Sequence, residues 1–93
     1  MTALEKRIAV PPNVLVRELR GESVLLHLDS EAYFGLDEVG TGMWRALTTC
    51  ATLREACDAL LAEYDVEPQR LEEDLGRFVE TLAGAGLIDV REA

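Results

Sequence analysis

The sequence predicts an α+β domain in which a three-stranded antiparallel sheet is followed by three helices in a winged-helix-like arrangement. Strand-forming runs separated by short turns occupy the first part of the chain. Amphipathic segments with helical spacing occupy the second part. The 93 residues, 48% of them hydrophobic, are enough for one modest core. Strands that precede helices in this order are typical of helices that cover one face of a sheet.

We expect one domain over residues 10–93, preceded by an N-terminal tail over residues 1–9. Pro11 and Pro12 interrupt regular structure next to this boundary, because proline fixes φ and has no amide proton. At the other end, residues 87–90 form too short a stretch to predict a strand. The N-terminal residues lack the order of a signal peptide, and no apolar run has membrane-spanning length. The chain is therefore expected in the cytoplasm.

Three strands are predicted in the first half of the chain, over residues 14–18, 23–28 and 32–36. Gly21 places a tight turn between the first two, and short connections favour an antiparallel meander. Helical sequence follows the third strand at once. We therefore expect this strand at the edge of the sheet, with backbone groups that no neighbouring strand satisfies.

Three helices are predicted in the second half. Asp37 is expected to cap the first, over residues 38–47. Thr52 and Glu55 form a capping-box pattern at the start of the second. Pro68 suits the first position of the third helix, which a pair of glycines ends. The apolar residues of the second and third segments repeat with helical spacing, so both helices should bury one face.

The charge balance and the residue inventory argue against several functional classes. Eighteen acidic residues against nine basic ones give a net charge of -9, which repels nucleic-acid phosphates and anionic membranes. No nucleophile, base and oxyanion donors combine into a catalytic pattern, and His27 is expected in a structural role. Cys50, Cys57 and His27 are too few for a metal site. We therefore expect no enzyme activity, no metal and no cofactor.

An ordered series of residues spans most of the chain. It begins with the leucines 25 and 26, passes through Tyr33-Phe34, Leu36 and Gly40 to Trp44, and continues with Tyr64-Asp65-Val66, Asp74-Leu75, Phe78-Val79, Leu82 and Gly86-Leu87. In this order and spacing, residues 10–90 resemble the PqqD-like family, also called RiPP recognition elements. His27 and Asp37 depart from the family, in which asparagine is frequent at both places.

The resemblance implies a winged-helix-like domain that binds the leader of a ribosomally made precursor peptide. It also implies a partner that acts on the precursor: a radical S-adenosylmethionine enzyme, a leader protease, or a cyclase as in lasso-peptide maturation. The leader would add as a strand to the third strand of the sheet. The expected peptide-binding residues are Ala32, Tyr33, Phe34, Gly35 and Leu36 on that strand, and Arg70, Leu71, Asp74, Leu75, Arg77 and Phe78 on the third helix.

Several alternatives remain at this stage, among them a purely structural subunit and, least favoured, a small enzyme. Leu71, Leu75 and Phe78 are equally well explained by ordinary core packing, because they form the apolar stripe of their helix. The fold class also admits a winged-helix regulator that binds DNA. The acidic balance of the second and third helices disfavours it, since a helix that reads DNA needs arginine or lysine near bases and phosphates.

Overall fold

The computed structural model describes residues 5–91, and it confirms an α+β fold with a three-stranded antiparallel sheet followed by three helices. The elements are β1 Arg7–Ala9, β2 Val14–Leu19, β3 Glu22–His27, β4 Tyr33–Leu36, α1 Glu38–Thr49, α2 Leu53–Glu63, α3 Pro68–Gly84 and β5 Asp89–Arg91. Residues 1–4 of the predicted tail and 92–93 of the predicted domain lie outside the described residues. The domain boundary and the winged-helix likeness stay predictions.

The central sheet has the strand order β2-β3-β4, and both pairings are antiparallel. A two-residue turn joins β2 to β3, with Arg20 at φ 55° and Gly21 at φ 83°. Left-handed φ values at both turn positions match the twist of the flanking strands. The predicted meander therefore begins with a tight hairpin, and it leaves β4 at one edge.

The connection from β3 to β4 is held by backbone and side-chain hydrogen bonds. The amide of His27 donates to the carbonyl of Ala32 at 2.9 Å, and Glu31 lies at φ 60°. His27 Nδ1 accepts a hydrogen bond from the amide of Ser30 at 3.3 Å. Its Nε2 lies so near Gly86 that an added Cβ there would come within 3.2 Å. His27 thus has a structural role, bracing the hairpin against the segment after α3.

A second, two-stranded ribbon joins the two ends of the described chain. β1 pairs antiparallel with β5, with Ile8 opposite Val90. The carbonyl of Lys6 also accepts a hydrogen bond from the amide of Leu53 at the start of α2, at 2.9 Å. Sequence patterning did not indicate this ribbon, because three residues per strand are too few for a periodicity to be recognised.

Side-chain caps set the starts of the first two helices, as the sequence predicted. Asp37 Oδ1 accepts from the amide of Gly40 at 2.8 Å. Thr52 Oγ1 accepts from the amide of Glu55 at 3.2 Å, while Glu55 Oε2 accepts from the amide of Ala51 at 3.0 Å. These bonds satisfy amides that have no partner within the helix. The third helix begins at Pro68, also as predicted.

The helices cover one face of the sheet and leave the other exposed. Leu25 of β3 is fully buried, whereas its neighbour Val24 is exposed, because successive strand residues point to opposite faces. The largest fully buried side chains come from the sheet and all three helices: Leu25, Leu47, Leu60, Leu75, Leu82 and Thr41. One apolar cluster therefore connects the sheet to every helix.

Truncating a leucine of this cluster should destabilise the domain. Leu60 of α2 is 1% exposed, so Leu60→Ala should lower the free energy of unfolding by about 2–5 kcal/mol. Leu19 is 72% exposed, and Leu19→Ala should change the free energy of unfolding by less than about 0.5 kcal/mol. Urea denaturation of both variants measures the difference. Equal losses would contradict the assignment of Leu60 to the core.

Candidate functional site

The edge strand β4 has an open side. Among the described residues, β4 pairs with β3 alone. His27 and Ala32 form a hydrogen-bonded pair, and bonded and non-bonded positions alternate along antiparallel strands. The backbone groups of Phe34 therefore face β3. Those of Tyr33 and Gly35 point to the open side, where each residue offers one N–H and one C=O.

This alternation reduces the number of β4 residues that could pair with an added strand. The carbonyl of Ala32 accepts from His27, and its amide lies 3.4 Å from Ser30 Oγ, which accepts from it. Leu36 lies two residues after Phe34, so its backbone groups point in the same direction and face Ser23 of β3. Three of the five strand residues therefore have their backbone groups engaged within the sheet or its turn. Tyr33 and Gly35 are the positions available for an added strand.

The opposite edge of the sheet, on β2, is less accessible. By the same alternation the amide of Val14 points outward, but it donates to the carbonyl of Pro11 at 3.1 Å. Further along, Glu18 is paired with Arg45 of α1, whose Nε donates to Glu18 Oε1 at 3.0 Å. A folded-back segment and charged side chains are common means of protecting a sheet edge. The β4 edge is thus the better candidate for binding another chain.

A small apolar pocket of about 140 Å³ lies between α1, the end of α2 and the start of α3. Val39 and Met43 of α1 form one side, and the first turns of α3 form the other. The lining residues are Val39, Met43, Leu60, Tyr64, Val66, Arg70, Leu71 and Asp74. Three of them, Arg70, Leu71 and Asp74, are among the residues that the sequence predicted. The pocket therefore includes part of the predicted face of α3, and on its other side the first turn of α1, which follows β4 in the chain.

The apolar residues predicted on α3 divide between surface and core. Leu75 is 2% exposed and Leu71 is 5% exposed, and both belong to the core cluster. Leu71 still contributes to the pocket wall, whereas Leu75 does not line the pocket. Phe78 is partly buried and packs against the core. Core packing therefore accounts for Leu75, and of the three only Leu71 reaches the pocket.

The three charged residues predicted on α3 interact with one another. Arg77 Nη2 donates to Asp74 Oδ1 at 2.8 Å, and Arg70 Nε lies 3.9 Å from Asp74 Oδ2. Both arginine side chains are largely exposed. A charged group on a bound peptide would have to compete with these pairs. Exposed pairs of this kind are weak, so such an exchange costs little.

Sequence reasoning missed several residues of the pocket. Val39 and Met43 are four residues apart, a spacing typical of one apolar helix face, yet Val39 is 50% exposed. Tyr64 continues the helical spacing of the α2 stripe although it follows the last residue of the helix, and Val66 lies two residues further on. The available signal was the exposure expected at the first turn of a helix beside an edge strand, but spacing alone does not reveal it.

Tyr64 forms a wall shared by two cavities. It lines the apolar pocket and also a more open cavity of about 340 Å³ between α1 and α2. Its hydroxyl lies against Gly42 of α1, and a Cβ added at Gly42 would come within 2.5 Å of Tyr64 Oη. A glycine in α1 therefore allows the ring to approach the helix closely and to fix one side of the pocket.

Redox, metal and membrane sites require a reactive cysteine thiol, a group of metal-binding side chains and a long apolar helix, respectively. Burial raises the pKa of the Cys57 thiol, with nearby carboxylates adding to the effect, so this cysteine stays protonated near neutral pH. Within residues 5–91, no three metal-binding side chains form a group. In the same range, none of the helices is both long and apolar enough to cross a membrane.

Comparisons with known proteins give a consistent result. The family model described as coenzyme PQQ synthesis protein D (PqqD) matches residues 22–88. A solved structure of TbiB1 in complex with the TbiA(beta) leader peptide is 38% identical over 86% of this chain and 93% of that chain, with a TM-score of 0.81. Lasso peptide synthetase B1 complexed with the leader peptide has the same fold at 23% identity, 89% and 98% coverage and a TM-score of 0.80. None of the curated proteins matches.

The contact between Gly42 and Tyr64 should appear as an energetic coupling. Gly42→Ala gains about 1 kcal/mol of helix propensity but forces a steric overlap that costs about 1–3 kcal/mol. In a Tyr64→Phe background the overlapping hydroxyl is gone, so the same substitution should raise the free energy of unfolding by about 1 kcal/mol. Urea denaturation of the four proteins measures the coupling. Equal effects of Gly42→Ala in both backgrounds would contradict the contact.

Proposed function

This chain belongs to the PqqD family, and we propose that it binds the leader of a ribosomally made precursor peptide as an additional strand on β4. The leader would stay bound while a separate enzyme modifies or cleaves the precursor. In this role the domain is a peptide-binding adaptor with no catalytic step of its own, in keeping with the lack of a catalytic constellation in its sequence.

The observation that carries the proposal is the outward orientation of the backbone groups of Tyr33 and Gly35. An extended peptide laid along β4 would bond to these groups through its own main chain, independently of its sequence. Each such hydrogen bond contributes about 0.5–1.5 kcal/mol net. The leader would therefore gain affinity from its backbone, and its side chains would supply the selectivity.

The apolar pocket between α1 and α3 is suited to selecting one side chain of the leader. Its volume of about 140 Å³ is close to that of a cavity of about 150 Å³ that holds a benzene molecule. An added strand directs every second side chain toward the helix-covered side of the sheet. We infer that one apolar leader side chain enters the pocket between Val39 and Met43 on one side and Leu71 on the other.

The relatives support this proposal. TbiB1, which this chain matches over nearly its full length, was solved in complex with a leader peptide. The sheet, the three helices and their order are those that the proposal requires. The class of enzyme that acts on the precursor is proposed from the family resemblance alone. A cytoplasmic location stays a prediction.

The DNA-binding alternative is disfavoured by the surface of α3. The helix carries four acidic residues and two arginines, Arg70 and Arg77. Both arginines lie beside the carboxylate of Asp74, which offsets part of their positive charge. A helix with net negative charge repels the backbone of DNA.

Direct binding tests the proposal. The probes are fluorescein-labelled TbiA(beta) leader and the leader of the precursor encoded beside this chain, titrated with the purified domain in fluorescence polarisation. We expect saturable binding of at least one probe that an unlabelled copy displaces. If neither probe binds, alone or with the adjacent modifying enzyme added, the adaptor function is wrong.

Removing one outward-facing amide should weaken binding without breaking the sheet. Tyr33→Pro deletes an N–H that points away from β3, so the bonds between β3 and β4 are retained. Loss of one bond together with the steric effect of the ring should reduce leader affinity by about tenfold or more. Tyr33→Ala controls for loss of the side chain. Equal affinities of the proline and alanine variants, both folded by circular dichroism, would exclude pairing at this position.

A further inference from the structure

The face of the sheet that points away from the helices carries an apolar surface. It holds every second residue of β2 and β3, because successive strand residues point to opposite faces. Leu15 and Leu19 of β2, Val24 of β3 and Tyr33 of β4 are all exposed on it. A shallow depression of about 590 Å³ on the same face is lined by Leu15, Val16, Arg17, Val24 and Leu26. Exposed apolar surface of this kind marks sites of protein–protein contact.

Two opposite charges lie next to each other on this face. Arg17 is opposite Val24 in the register, and Glu22 is opposite Leu19. Directly opposed strand residues share a face, so the four side chains form the corners of a rectangle, with the two charges on one diagonal and the two apolar residues on the other. Within residues 5–91, neither Arg17 nor Glu22 forms an ion pair. Both charges therefore remain available to a partner.

A face with this arrangement is complementary to itself. A two-fold axis in the plane of the contact, midway between Arg17 and Glu22 and perpendicular to the line that joins them, places the arginine of each copy over the glutamate of the other. Leu19 and Val24 lie close to that axis, so each packs against the same residue of the second copy. Packed sheets are about 10 Å apart, a gap that an arginine and a glutamate side chain span together. Isologous contacts of this kind are the commonest in soluble oligomers.

We propose that this face binds the same face of a second copy of the chain, with Arg17 of each copy paired to Glu22 of the other. The two charges cancel within the face, although the whole chain has a net charge of -9. A partner with a uniformly acidic or basic surface would match only one of them, whereas a second copy matches both. Repulsion between the two acidic chains acts over longer distances and is largely screened at physiological salt. Self-association of this kind is independent of leader binding, which is proposed for the β4 edge.

The size of the face indicates a weak, reversible dimer. β2 and β3 have six residues each. With a rise of about 3.3 Å per residue and about 4.8 Å between strands, the three-stranded sheet measures about 20 Å by about 14 Å. That is about 280 Å² of flat area, which side-chain relief increases, whereas a standard interface buries about 800 Å² on each partner. We therefore expect dimers at high protein concentration and monomers when the domain is dilute.

Charge reversal tests the pairing between copies. Arg17→Glu opposes two carboxylates at each contact and Glu22→Arg opposes two guanidinium groups, so each variant alone should dissociate. An equimolar mixture of the two variants restores opposite charges at both contacts, and so does the double variant Arg17→Glu/Glu22→Arg. Sedimentation velocity from about 10 μM to about 1 mM should show a dissociation constant at least about tenfold higher for each single variant than for the unmodified domain, the mixture and the double variant.

Controls of matched charge lie on the helices. Arg54→Glu and Glu80→Arg alter exposed positions away from the sheet and should leave the dissociation constant unchanged. Leu19→Glu, beside the two-fold axis, should dissociate the dimer and serves if a charge-reversal variant does not fold by circular dichroism. A domain that stays monomeric at about 1 mM, single variants that still dimerise, or a mixture that does not would each overturn the inference. A monomeric result would leave the proposed leader binding intact.

Discussion

The pairing of the central strand β3 determines which backbone groups of the sheet stay open at its edge. Its backbone bonds alternate between the two neighbouring strands, and this alternation leaves the groups of Tyr33 and Gly35 directed outward. Burial of Leu25 holds the register, because a slip by one residue would expose Leu25 and bury Val24 in its place. The core and the binding edge therefore depend on the same pairing.

The domain uses its two sheet faces differently. One face packs under three helices and supplies the stability that a chain of this length needs. The other face is exposed and still carries apolar side chains, among them Leu15, Leu19 and Val24. An edge strand between these faces lets a bound peptide contact both. Leu60 and Leu71 belong to the core and also line the pocket between the helices, so the proposed binding site is built directly on the core.

Elements marked by a helical or strand periodicity, a turn residue or a capping residue could be predicted from the sequence. Elements without such a pattern could not. Turn residues, the capping oxygens of Asp37 and Thr52, and helical periodicity were sufficient for the sheet and the helices. The ribbon of β1 and β5 was too short to recognise. At the site, the order of the elements was sufficient to predict that β4 is an edge strand. An apolar stripe such as Leu71 and Leu75 has the same sequence pattern whether it faces the core or a pocket. The close approach of Tyr64 to α1 has no sequence signal.

The pairing of β1 with β5 has a consequence for how the domain can be attached to other proteins. Ile8 and Val90 are cross-strand neighbours, so the two ends of the described chain emerge side by side. A fusion made through either end would hold an attached enzyme at nearly the same point on the surface. Under the proposed function, fusion in either order would present a bound leader to an attached enzyme from one common anchor, with linker length as the remaining variable.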